Sequence, residues 1–266
     1  MAPASTVELA LLALVGLVAG WINTIAGAGS LLLLPALIFT GLDASAANAT
    51  NRLGILAQTL AAVLGYRRAG LSIGRAELAL TAAAMVGGAI GSFIATLLAP
   101  SEMQIAIVIA MGVMLVLSLV PRKKTAPTAE VEGEPAKEPP RRDELPAPTP
   151  GMIAAFLVIG IYGGFLQAGV GIVVLLYLSV FHGATLVASN VVKSTITLAL
   201  TVIAIAMFAA RGETMDLARG GVLAVSSAAG GLLGARATVA LGDRFVRVVV
   251  VVAVLASMVK LVWDML

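Results

Sequence analysis

The chain of 266 residues is 60% hydrophobic and 12% charged, with a mean hydropathy of +1.05. A soluble domain is about half apolar and about a quarter charged, so this composition excludes a soluble enzyme, a disordered tail, a fibrous protein and a nucleic-acid binder, and leaves an integral membrane protein. The net charge of +3 fits basic loops on such a protein better than a surface for an anionic macromolecule, and the absence of cysteine excludes disulfides and thiolate metal or redox centres.

Five apolar segments are predicted in the first half, at roughly 7–22, 29–41, 44–66, 76–98 and 103–120. No basic run precedes the first, which argues against a cleaved signal peptide. The window 121–150 carries 8 of the 11 prolines, 6 basic and 6 acidic residues. Proline and mixed charge without apolar periodicity predict a solvated linker. Five further segments follow, at roughly 151–166, 171–182, 186–210, 220–240 and 247–265. The domain reading is therefore an N-terminal transmembrane repeat (1–120), a cytoplasmic linker (121–150) and a C-terminal transmembrane repeat (151–266).

The halves match each other at an offset of 142: Gly27 with Gly169, Gly29 with Gly171, Phe39 with Phe181, Asn48 with Asn190, Thr59 with Thr201. One further residue of shift puts Gly87, Gly88 and Gly91 on Gly230, Gly231 and Gly234. Apolar residues match by accident; Gly, Phe and Asn in register point to an internal duplication. A full span needs about 20 residues. Segments three to five of each half reach that length; the first two are short, and Gly-rich breaks separate them. Non-helical backbone at membrane depth is tolerated where protein or a wet cavity satisfies its polar groups, and paired breaks point to a transporter site. The fold class expected is an all-α polytopic membrane protein with short broken helices at the Gly-rich motifs.

Loop arginines set the orientation. Arg67, Arg68 and Arg75 place the third loop in the cytoplasm with the linker, whose start is Arg122-Lys123-Lys124. Arg244 and Arg247 do the same for 242–247, while Arg211 and Arg219 beside Glu213 and Asp216 leave 211–219 ambiguous. The model favoured has both termini outside and inverted repeats; the rival has four crossings per half, parallel repeats and both termini inside.

Two cations lie deep in apolar segments: Lys193, roughly 10 Å in, and Arg52. By the repeat Lys193 falls on Asn51, and Ser194 on Arg52. A charge in lipid costs at least ~2.5–3.5 kcal/mol, so such residues face a cavity or a partner. No carboxylate lies deep in a segment, and the natural counter-charge is an anionic substrate; the alternative is bonding to backbone carbonyls or snorkelling. Helices that begin at Gly29-Ser30 and at Gly171 aim N–H groups and a positive dipole end at the breaks, which suits an anion. Gly27 and Gly169 allow close approach, Ser30 can cap or contact the anion, and Asn23, Thr24 and Gln167 can donate hydrogen bonds. Asn48 and Asn190 either line the site or cap segment three. Gly87, Gly88, Gly91 and their partners are read as packing glycines, Arg236 as snorkelling, and Trp21, Trp263 and Tyr66 as interface anchors. Metal ligands, a catalytic set and a cofactor are not expected.

The run Gly16-x3-Gly20, then Asn23-Thr24-Ile25-Ala26-Gly27-Ala28-Gly29-Ser30 with Pro35, then Asn48-Ala49-Thr50-Asn51, resembles the TauE/SafE sulfite exporter family. Gly160-x3-Gly164, Gly169-x-Gly171 and Ser189-Asn190 resemble that family's second copy. The resemblance implies movement of sulfite, sulfoacetate or another organosulfonate, usually outward across a bacterial inner membrane; the residues themselves say "small anion". The expected partners are that anion and the lipid bilayer, with no nucleic acid, and a homo-oligomer is left open. An anion channel or uniporter is the rival within transport, and a non-transporting scaffold or accessory subunit is the rival from another class.

Overall fold

The computed structural model describes residues 4–71, 73–119, 147–184 and 186–237. The predicted segment 247–265, Trp263, the loop arginines Arg244 and Arg247, the side chain of Arg236 and nearly all of the linker lie outside these residues. Every described element is helical: α1 (Thr6–Ala26), α2 (Ser30–Phe39), α3 (Ala44–Arg68), α4 (Arg75–Ala95), α5 (Pro100–Leu119), α6 (Pro150–Phe165), α7 (Val170–Phe181), α8 (Leu186–Ala210) and α9 (Leu217–Ala237). Helices α1, α4, α5, α8 and α9 are long and apolar enough to cross a membrane. The protein is a polytopic, all-helical membrane protein.

Local chemistry sets the helix ends. Ser5 Oγ accepts from the Glu8 N–H, while the Glu8 carboxylate accepts from the Ser5 N–H, a reciprocal cap that starts α1. Thr149 caps α6 in front of Pro150, whose missing N–H costs nothing there. Asp43 caps α3 by accepting from the Ala46 N–H at 2.9 Å. Neither Asn48 nor Asn190 caps its helix. The first segment was expected to be short, but α1 runs on through Asn23-Thr24-Ile25-Ala26 to 21 residues. These four residues are buried, and Asn23 and Thr24 find side-chain partners at Gln58 and Gly20, so the helix continues through them. Gly27, at φ +77°, ends it.

Packing runs across the linker. Helix α1 lies against α9, and α4 against α6; α3 touches both α9 and α8, and α4 touches α8. Small residues make the first two contacts possible. A Cβ on Gly20 would come within 2.3 Å of the Ser227 carbonyl oxygen, and one on Gly230 within 2.1 Å of the Leu17 carbonyl oxygen. On the other seam a Cβ on Gly164 would lie 2.1 Å from the Gly88 oxygen, and one on Gly91 1.8 Å from the Ile161 oxygen. Glycines along both seams thus let backbones touch, which is how helices associate where lipid supplies no hydrophobic drive. The packing role read for Gly87, Gly91, Gly230 and Gly234 holds.

Helix α3 is long enough to span at 25 residues, yet it is not among the apolar spans. Its polar residues Asn48, Asn51, Arg52 and Gln58 are all buried, at 0–1% exposure, so protein and not lipid surrounds that face. Helices α3 and α8 cross antiparallel. The Arg52 guanidinium near the start of α3 lies over the Phe208 ring near the end of α8, while Ala62 and Tyr66 late in α3 pack on Val191 early in α8. Tyr66, expected at the lipid interface, is 5% exposed because it fills this crossing.

Candidate functional site

Helices α2 and α7 each follow a glycine break. Gly27 and Gly169 both adopt left-handed backbone, at φ +77° and +71°, which L side chains adopt at a cost. The breaks meet: a Cβ on Gly27 would lie 2.3 Å from the Gly171 carbonyl carbon, and one on Gly171 2.5 Å from the Gly27 Cα. Two segments 144 residues apart are therefore in backbone contact, and a side chain on either would separate them.

Side chains brace both breaks from within. Asn23 Oδ1 accepts from the Gly29 N–H at 3.1 Å, and its Nδ2 donates to Gln58 Oε1 at 3.1 Å. Gln58 Nε2 reaches Thr24 Oγ1, whose hydroxyl donates back to the Gly20 carbonyl. At the second break Gln167, at φ +59°, donates from Nε2 to Thr201 Oγ1 at 2.5 Å, and the Tyr162 hydroxyl donates to the Ala168 carbonyl. Helix α2 has Gly29 at its N-cap with no side-chain cap bond, so Ser30 is buried in the first turn and does not cap. Asn23, Thr24 and Gln167, expected as donors to a ligand, spend these donors on the scaffold.

The two deep cations take matched positions. Arg52 is fully enclosed. Its terminal nitrogens donate to the carbonyls of Gly163 (2.8 Å), Gly164 (2.7 Å) and Phe165 (3.2 Å), to Gln167 Oε1 (2.6 Å) and to Asn48 Oδ1 (3.4 Å). Asn48 Nδ2 adds a bond to the Phe165 carbonyl at 2.9 Å. Lys193 donates from Nζ to the carbonyls of Asn23 (2.8 Å) and Thr24 (2.7 Å) and to Asn190 Oδ1 (2.6 Å). The last carbonyls of a helix lack intrahelical partners and carry negative dipole charge, so a cation there satisfies both needs. Thus α3 caps the C-terminus of α6, and α8 caps the C-terminus of α1, each across the linker. Carbonyl bonding, the alternative weighed for these cations, accounts for their nearest contacts.

The structure therefore gathers the expected residues into two clusters joined by the touching glycines. Asn48, Arg52 and Gln167 meet at the end of α6. Asn23, Thr24, Asn190 and Lys193 meet at the end of α1. Asn51, one residue before Arg52, is wholly buried, and among the described residues neither its Oδ1 nor its Nδ2 has a partner. The same holds for Arg52 Nε, Asn190 Nδ2 and Ser189 Oγ. Ser194 is 2% exposed beside Lys193.

A third buried cation was not foreseen. Arg219, 3% exposed, pairs with Asp216 and donates to the Thr40 carbonyl at the end of α2 (2.8 Å), and the Asp216 N–H donates to Thr50 Oγ1 (2.9 Å). In sequence it reads as a loop arginine; the i,i+3 Asp-x-x-Arg spacing was the available signal. Burial alone would raise the Asp216 carboxyl, but hydrogen bonds from the Arg219 backbone and side chain, the Arg219 charge and the Ala218 N–H outweigh it and hold the group below the usual carboxylate range. Burial and the nearby Asp43 push the Glu213 carboxyl up against the pull of Arg211.

A family model described as sulfite exporter TauE/SafE matches residues 12–261. No curated protein and no solved structure matches the chain.

Proposed function

This chain belongs to the TauE/SafE sulfite exporter family, a family of membrane transporters of sulfur anions, and from that premise we propose that it exports a small sulfur oxyanion or organosulfonate by alternating access. The observation that carries the reading is the meeting of two helix breaks at Gly27 and Gly171 in the core, with a buried cation bonded to the helix end before each break. The positive charge of Lys193 and Arg52 attracts the anion, with Asn48 and Asn51 beside Arg52 and Asn190 and Ser194 beside Lys193.

The packing supports inverted repeats. If α3 and α8 are equivalent, their antiparallel crossing matches a two-fold axis in the membrane plane, and α1 on α9 mirrors α6 on α4. Orientation follows the same logic. Loop 211–216 lies by Asp43, and Arg211 stacks on Phe93 late in α4. That is the end opposite Arg67, Arg68 and Arg75, which sit at the cytoplasmic face in this reading. Its location is then a bacterial inner membrane, with the linker in the cytoplasm, and the two halves rock about the glycine contact. No catalytic role is assigned: the buried polar groups hold helix ends and ligand rather than a nucleophile and base.

Proteoliposomes loaded with sulfite or sulfoacetate test this. Wild-type protein releases the anion down its gradient, and a variant carrying both R52M and K193M does not. Equal release by the two would overturn the reading.

A further inference from the structure

The two deep cations do not converge on one point. Arg52 lies eight residues into α3 and Lys193 seven into α8, and these 25-residue helices run in opposite directions. At 1.5 Å per residue their backbones sit about 15–20 Å apart along the pair. Their charged heads bond to different helix ends, Arg52 to the end of α6 and Lys193 to the end of α1.

Each end also carries its own unspent hydrogen-bonding groups. At the α6 end these are Arg52 Nε and both amide atoms of Asn51, in residues of 0% exposure. At the α1 end they are Asn190 Nδ2 and Ser189 Oγ, in residues of 0% and 1% exposure. Buried polar groups are almost always bonded, and those that are not mark a place where a ligand or water completes the set. Each set lies within four residues of its cation along the helix. The donors are N–H and O–H groups, which suit the oxygens of an oxyanion. The cations themselves are engaged with carbonyls, which fixes the helix ends, and the Nε–H of Arg52 is left to the ligand.

We propose, resting on the transport reading above, that the protein holds its anion at two successive stations, one formed by Asn51 with Arg52 Nε and one by Asn190 with Ser189 beside Lys193. The touching glycines Gly27 and Gly171 link them. The anion passes from one to the other as the halves rock. Two weak stations release their ligand more readily than one deep site, which favours flux over retention.

Calorimetric titration of sulfite and of sulfoacetate into the purified full-length protein tests the idea, with Asn51→Leu and Ser189→Ala as the variants. Neither side chain makes a side-chain hydrogen bond among the described residues, so both variants keep the cation–carbonyl bonds and unfold at the wild-type temperature. Wild type binds two anions per chain. N51L binds one, with the affinity of the second station unchanged, and S189A retains the first station and weakens the other three- to ten-fold. A single site weakened alike by both variants, or one that neither variant alters, would overturn the two stations and leave the transport reading intact. Failure of wild type to bind or release either anion would instead overturn the transport reading itself.

Discussion

The Arg52 and Lys193 clusters do the same task with different chemistry. Arg52 spreads a planar guanidinium over five oxygens, three of them the last carbonyls of α6. Lys193 directs a compact ammonium at two carbonyls of α1 and one amide oxygen. The guanidinium is a fixed fork, and its delocalised charge loses less hydration on burial; the ammonium is a mobile point charge. The Arg52 end is consequently the more rigid anchor, and the Lys193 end is the one more easily remade during a conformational change.

Substitutions can break this comparison, and the largest effect is expected at Arg52. Arg52→Met leaves the Gly163 and Gly164 carbonyls and Gln167 Oε1 without a donor, Phe165 keeping the Asn48 amide, at about 1–3 kcal/mol for each buried acceptor left unsatisfied. Reversible unfolding in mixed micelles measures it. Arg52→Lys is expected to recover less than half of that loss, because an ammonium cannot reach all five oxygens. Lys193→Met follows, with the Thr24 carbonyl and Asn190 Oδ1 losing a donor at about 1–3 kcal/mol each while the Asn23 carbonyl keeps the Gly27 N–H. Lys193→Arg is expected to bind anion and transport slowly, since a fork on α1 holds what a point charge releases; single-turnover flux from proteoliposomes separates these steps.

The glycine seams come next. Gly164→Ala places a methyl against the Gly88 backbone and is expected to cost about 1–3 kcal/mol or more. Gly41→Ala meets nothing within 4 Å but sits at φ +86°, so its cost is confined to about 1–2 kcal/mol of backbone strain. Thermal midpoints of the two variants in one detergent rank them.

The smallest effect involves Asp216. Its folded carboxyl is held below the ordinary range, so the unfolded chain takes up the proton first on acidification. The pair with Arg219 therefore contributes its stability in full above the usual carboxylate range and loses it as pH falls through the depressed folded value. Asp216→Asn is expected to lower stability at neutral pH and to flatten that acid limb, as thermal unfolding from neutral to acidic pH would record.

Much of the fold was legible in the chain. Nine of the predicted segments correspond to described helices, because apolar runs bounded by Gly, Pro and charge read the same way in a membrane as on paper. The first helix was drawn four residues too short at its C-terminal end, since Asn23 and Thr24 look like a terminus until their buried partners are known. The breaks at Gly27 and Gly169 were legible because left-handed backbone nearly requires glycine. The partners of the cations were not. Carbonyl oxygens belong to every residue, so no side-chain pattern announces that Arg52 bonds to Gly163, Gly164 and Phe165. Arg219 was misread for a related reason: a charge near a helix start looks solvated unless the neighbouring Thr40 carbonyl is in view.

By itself the sequence determined the class of molecule, nine of the helical segments and the two cations too deep to be lipid-facing. These follow from local composition and spacing, which the bilayer enforces residue by residue. Tertiary structure decided which helix each cation caps, that Gly27 meets Gly171, and that Asn51, Asn190 and Ser189 keep unspent donors. Those depend on atoms brought together from opposite sides of the linker, and backbone carbonyls and close glycine contacts leave no mark in composition.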